Sequence, residues 1–283
     1  SSNIVAARYQ ISGSTVLAVL PGVNSLGVGV NAGRVNTGDY NVFVGSAAGN
    51  SNTTGGYNSF MGTWAGNSNT TGVSNSFVGL GAGFSNTTGG VNSFVGIQTG
   101  YYNQTGSGNA ILGSAAGFGV TLNSYSSNTL VGYRSGYGLT TGSDNIFLGW
   151  QSGYNVTSGT GNIIIGYDQR TPLATTNNFL NIGGLLYGDL STGNVGIWTT
   201  TPAARLEVKQ SATDTYALQI SSNDGNYMLR VSSAGNVYIP QDKLYIGGGT
   251  DNQVLKKNAG GYLAWDNDLG GVAGGGTTNY LPL

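Results

Sequence analysis

Between residues 41 and 166 the chain writes one frame, Asn-x-apolar-apolar-Gly, eight times over. The asparagines are Asn41, Asn58, Asn75, Asn92, Asn109, Asn128, Asn145 and Asn162, so every step is 17 residues except one of 19 after Asn109. The third position holds Phe43, Phe60, Phe77, Phe94, Ile111, Leu130, Phe147 and Ile164. The fourth holds Val44, Met61, Val78, Val95, Leu112, Val131, Leu148 and Ile165. The fifth is glycine in every copy: Gly45, Gly62, Gly79, Gly96, Gly113, Gly132, Gly149 and Gly166. A second glycine stands at the ninth position of seven copies, and Arg170 takes that place in the eighth. An earlier, less regular copy starts at Asn24.

A period this short excludes helical repeats and propeller blades, which need about 33 residues or more. Each copy carries one apolar run bounded by glycine and by Asn/Ser/Thr clusters, which predicts a strand of about four to five residues followed by turns. One copy is then one coil of a parallel β-solenoid or β-roll, and eight coils stacked ~4.8 Å apart span about 38 Å. The chain is expected to be all-β: residues 1–23 an N-terminal strand that caps the first coil, 24–171 the coil array, 172–269 a β-rich stalk and 270–283 a glycine-rich tail.

Stacking explains the composition. Only 7% of residues are charged, against roughly 25% in ordinary soluble domains, and residues 40–133 contain no Asp, Glu, Lys or Arg. A charge at any slot would sit ~4.8 Å from its own copy in the next coil and repel it, whereas Asn, Ser, Thr and Gly stack without that cost. Glycine is 51 of 283 residues, yet 39% hydrophobic residues in strict periodicity argue for order. Most of the charge returns from Asp168 onward, where the frame stops. Alternating stretches at 205–208, 216–220, 227–231 and 243–246 predict the strands of the stalk, formed by interleaving three chains or, alternatively, as a small independent β-sandwich.

The third and fourth positions are both apolar, although adjacent strand residues face opposite sides. One side fills the coil. The other calls for a partner surface, most simply two further copies around a fibre axis, unless a bend turns both residues inward.

Several function classes are poorly served by these residues. Net charge is -1, which gives no footprint for nucleic acid. No apolar stretch is long enough for a membrane-spanning helix. Without histidine or cysteine the chain lacks the commonest general base and every thiolate. No cofactor and no metal site is expected, since the glycine-rich turns lack both the Asp of calcium-binding β-rolls and the Lys-Ser/Thr of phosphate loops. Asp144 and Asp168 are the nearest thing to a catalytic carboxylate pair and fall in different slots of the frame. The chain is expected to be no enzyme. Recurring Thr-Thr-Gly reads as a corner turn. It brings Asn52, Asn69, Asn86, Asn103 and Asn155 into Asn-x-Thr sequons without implying a glycan.

The candidate contact residues are aromatic. The tenth position drifts to Phe84, Tyr101, Phe118, Tyr137 and Tyr154, and the sixth to Tyr133, Trp150 and Tyr167. Stacked one per coil, they would form ladders that either contact a ligand or pack coils and chains together.

"NVFVGSAAGNSNTTGGYNSFMGTWAGNSNTTG" resembles the repeats of predicted tail-fibre-domain proteins of phages and bacteria, and "NSLGVG" is similar to the head repeats of trimeric autotransporter adhesins. "TGNVGIWTTTPAARLEV" looks like the segment that follows such arrays, with Trp198 where glycine is usual, and "GGGTTNYLPL" looks like their linker. The resemblance implies a left-handed parallel β-roll in a homotrimer, on a virion tail or a cell surface. Nothing matches the self-cleaving chaperone that often ends such chains. Sequence and resemblance together lead to the expectation of an extracellular structural and adhesive fibre that binds a cell-surface glycan or protein. The alternatives are a subunit polymerising end to end into a filament and a polysaccharide-degrading tailspike.

Overall fold

The computed structural model describes residues 8–120, 123–210 and, with short gaps, 213–239, together with strands at 253–257 and 263–267. The strand expected at 243–246 and the linker expected at 270–276 lie outside the described residues. Among the described residues there is no helix, and the chain divides into Ser1–Ser211 and Ala212–Leu283.

The first unit is one sheet of fifteen strands. Strands β1 (Arg8–Ile11) and β2 (Ser14–Val19) form an antiparallel hairpin whose second strand lies antiparallel on β3 (Leu26–Val28). From there each strand adds in parallel to the one before: β4 (Val42–Val44), β5 (Ser59–Met61), β6 (Ser76–Val78), β7 (Ser93–Val95), β8 (Ala110–Leu112), β9 (Thr129–Val131), β10 (Ile146–Leu148), β11 (Ile163–Ile165) and β12 (Phe179–Ile182). The register is one frame per coil, with Phe43 beside Phe60 and Phe60 beside Phe77. This is a parallel β-solenoid of 17-residue coils. The sheet runs on past residue 172: β13 (Leu186–Asp189) and β14 (Asn194–Ile197) are antiparallel, and β15 (Leu206–Val208) is parallel to β14. The second unit holds an antiparallel sheet of β16 (Tyr216–Ser221), β17 (Tyr227–Ser232) and β18 (Val237–Tyr238), and a separate pair, β19 (Gln253–Lys257) and β20 (Leu263–Asn267).

The coil strands are three residues long rather than the four to five expected. The fifth-position glycine ends each one, because its φ of +129 to +141° in the eight copies lies where L side chains do not go. A Cβ on Gly79 would fall 2.3 Å from the Gly96 carbonyl oxygen. The glycine column is therefore what lets successive coils approach. Within each strand the middle residue points in and its neighbours point out, so the strand does not bend to bury both apolar positions.

The interior is built from three of the frame's slots. Phe43, Phe60, Phe77 and Phe94 stack ring on ring at 5.2, 4.8 and 4.8 Å and are fully buried. Each ring packs against the ninth-position glycine of its own coil, where a Cβ would meet it at 2.4–2.7 Å. Small buried residues at the eighth position, Ala48, Ala65 and Ala82 among them, complete this layer.

Asparagine fills the polar half. Each first-position Asn from Asn41 to Asn145 accepts from the backbone N–H of the Asn one coil on (Asn75 N–H to Asn58 Oδ1, 3.0 Å), Asn162 accepts from Phe179 N–H, and each donates to a corner carbonyl (Asn75 Nδ2 to Gly89 O, 2.8 Å). A second column runs Asn86 to Asn69 to Asn52 to Asn36, Nδ2 to Oδ1, at 2.6, 2.5 and 2.5 Å. Buried amides are tolerated here because they satisfy backbone groups that a corner leaves over.

The 19-residue coil interrupts this second column. Asn103 and Asn123 bridge across it, and the Oδ1 atoms of Asn86 and Asn103 and both polar atoms of Asn123 are buried without a partner. Buried Tyr125 fills the wider coil and donates its hydroxyl to the Gly117 carbonyl. Beyond it the slot turns apolar, at Leu139 and Val156.

Candidate functional site

The expected aromatic residues assemble into two columns on the outside of the coils. In the tenth-position column Phe84, Tyr101, Phe118, Tyr137 and Tyr154 stack at 4.8–5.3 Å with interplanar angles of 4–18°. Tyr102 stands edge-on against Tyr101 and Phe118. Burial, and then the neighbouring Tyr102, raise the Tyr101 phenol above its ordinary range. In the sixth-position column Tyr133, Trp150 and Tyr167 stack at 6.3 and 4.6 Å.

Parallel stacking at this spacing has a chemical consequence. Each ring covers its neighbour's face, so a column offers edges and hydroxyls along its length and an open face only at its ends. Tyr167 is such an end. It is 70% exposed, Trp150 covers one face, and the slot one coil further on is Gly184.

Arginines join the columns. The Arg134 guanidinium lies 5.1 Å from the Tyr133 ring centre and 5.3 Å from that of Tyr137, and Arg170 lies 5.3 Å from Tyr154. Asp168 and Arg170 form an ion pair at 2.8 Å. Asp144 sits at the seventeenth slot, held by the Ser143 hydroxyl, and Asp168 at the seventh.

The fourth-position row is the other outward feature. Its side chains, from Val44 through Leu112 to Ile165, line up one per coil on the same face of the sheet. Five of the eight are exposed, from 36% at Val44 and Val131 to 50% at Leu112, and Val78, Leu148 and Ile165 are half-buried. Leu80 and Ile97 widen this apolar strip at the sixth position.

Two features escaped the sequence. Tyr40 and Tyr57 form a third stack, at 5.0 Å, in the seventeenth slot. The seventh and seventeenth slots are left-handed turns in coil after coil, occupied by residues as unsuited as Trp64 (φ +60°) and Val91 (φ +59°). Glycine marks them only at Gly81, Gly108 and Gly161, too few to betray a rule. The sequons resolve plainly: Asn52, Asn69, Asn86 and Asn103 are fully buried, and Asn155 is half-buried with its amide donating to Thr171 O.

No family model, no curated protein and no solved structure matches the chain.

Proposed function

We propose that the protein is a structural and adhesive fibre subunit that acts outside a cell or on a virion tail, without catalysis, as a homotrimer. The single observation that carries this is the outward apolar row. A folded chain that leaves Val44, Met61, Val95, Leu112 and Val131 more than a third exposed, in line and with no charge in residues 40–133, has an association surface. Three copies around one axis bury that row with no strand left over. Antiparallel strands lie over both ends of the parallel stack, β2 on β3 and β13 on β12, which supports lateral assembly over end-to-end growth. With the apolar row turned inward, the tenth-position aromatic column and the exposed Tyr167 end of the sixth-position one are left for a cell-surface glycan or protein.

Light scattering on the purified chain across a concentration series tests the proposal. A constant mass of three chains is expected. A mass of one chain throughout would refute it, and mass rising without limit would replace it with an end-to-end filament.

A further inference from the structure

Where the coil frame breaks, the surface opens into a cleft of about 360 Å³. We propose that this cleft, with the open face of Tyr167 beside it, is a binding site for a neutral saccharide. The proposal rests on the adhesive-fibre reading and names the ligand class and the place.

The break begins in the sequence. In seven coils the eighth and ninth slots hold a small buried residue and a left-handed glycine, as in Ser152-Gly153. The eighth coil has Gln169-Arg170. The backbone still stacks, with Gly153 N–H donating to Gln169 O at 2.8 Å. The Gln169 side chain does not enter the interior: its Nε2 turns back to donate to Tyr167 O at 3.0 Å. Arg170 donates from Nε and Nη2 to Asp168 Oδ1, at 3.1 and 2.8 Å. The chain then turns into the β12–β13 hairpin instead of closing a further coil. Phe179 and Tyr187, 6.1 Å apart and tilted by 38°, line the opening opposite these polar groups.

Hydrogen-bonding capacity in the cleft divides sharply. The Asn181 amide is spent on Arg170 O and Gly184 N–H, the Tyr187 hydroxyl on Gly184 O, and the Thr171 hydroxyl on Leu173 O. Among the described residues, Asp168 Oδ2, Gln169 Oε1, Arg170 Nη1 and the Thr200 hydroxyl make no hydrogen bond. The unspent set offers two acceptors, a donor and a group that does both, on three planar forks. Adjacent hydroxyls of a sugar, each donor and acceptor at once, match such forks. Asp168 and Arg170 cancel in charge, so a charged ligand gains nothing from the pair. The half-exposed Tyr187 ring, backed by the buried Phe179, suits the C–H face of a sugar, and the volume is at the small end of the ~300–1,000 Å³ range of ligand sites. Gln169 Oε1 lies 3.1 Å from where a Cβ on Gly184 would be. Gly184 is also the slot after Tyr167, so the cleft adjoins the open end of the aromatic column.

The test is a saturation-transfer NMR screen of the full chain, followed by titration. The panel is glucose, galactose, mannose, N-acetylglucosamine and their disaccharides, with glucuronic acid as the charged control. At least one neutral saccharide is expected to bind saturably. Tyr167→Ala should weaken it about tenfold. Asp168→Asn keeps the fold, since Asn accepts the left-handed φ of +50°, and leaves Arg170 unpaired. Neutral binding should then fall about tenfold while glucuronic acid begins to bind. Absence of saturable binding by every neutral sugar would overturn the inference, as would binding indifferent to both variants. Light scattering on the same samples separates the two proposals. A trimer that binds no sugar loses only this site, and a monomer that binds one loses only the fibre.

Discussion

Gly79 and Gly81 lie two residues apart in one turn, both with positive φ, yet the structure assigns them unequal roles. At Gly79 φ is +134°, and a Cβ would meet backbone atoms of the next coil: Gly96 O at 2.3 Å and Gly96 C at 2.6 Å. Nothing flexible can yield there. The forbidden backbone region costs about 1–3 kcal/mol and forced overpacking about 1–3 more, so Gly79→Ala should destabilise by about 2–6 kcal/mol. At Gly81 φ is +63°, the nearest atom is on the Tyr101 ring at 3.2 Å, and other coils hold Ala47, Trp64 and Ala115 in the same slot. A left-handed Ala costs about 1–2 kcal/mol, offset by about 0.4–1 kcal/mol of unfolded-chain entropy, so Gly81→Ala should cost about 1 kcal/mol. Urea denaturation followed by circular dichroism reads both, with the slope checked because stacked repeats can unfold in parts. Equal losses in the two variants, or a loss below about 1 kcal/mol at Gly79, would refute the claim that the glycine column sets coil spacing.

Other consequences are separately measurable. Val91→Asn should stabilise by about 1 kcal/mol in the same assay, because Val91 is a β-branched residue at φ +59° and 67% exposed. Asn75→Ala should cost about 2 kcal/mol, since it strands the buried Asn92 N–H, while the Gly89 carbonyl keeps the Asn86 amide at 3.1 Å. Burial pushes the Tyr125 phenol far above its ordinary value of 10.0. The fold holds that proton more tightly than the unfolded chain does, so its contribution is complete below pH 10 and is lost as pH rises beyond it. Stability should fall by about 1.4 kcal/mol per pH unit there, and Tyr125→Phe should flatten that limb. Folded protein secreted from a glycosylating host should carry no glycan at Asn52, Asn69, Asn86 or Asn103 by mass spectrometry.

The legible part of the fold was the part with a stacking rule visible in residue type. Phenylalanine at the third slot and glycine at the fifth and ninth are demanded by ring packing and by φ, and those demands repeat every 17 residues. The first-slot asparagines were legible as a ladder, but their capping of the next coil's backbone was not, because hydrogen bonds to corner carbonyls leave no mark in spacing. Asn52 and its copies read as turn and sequon residues for the same reason, although the corner folds them inward. The left-handed seventh and seventeenth slots were hidden because the chain fills them with Trp64, Val91 or Arg134, whose backbone N–H groups donate to the preceding coil at 2.9–3.0 Å. At the aromatic columns, membership followed from the frame. That stacking would cover the ring faces, and that Gln169 and Arg170 would open a cleft, follow only from three-dimensional spacing.

The central claim is that the fourth-position row is the surface by which chains associate. The chain has no cysteine, so single cysteines report cleanly. Leu112→Cys lies on the row and Val91→Cys lies in the seventeenth slot, away from it; each would be treated with a short bismaleimide and run on a denaturing gel. Efficient crosslinking through position 112 and none through position 91 is the predicted result. Equal yields from the two, or no crosslink at position 112, would contradict the account.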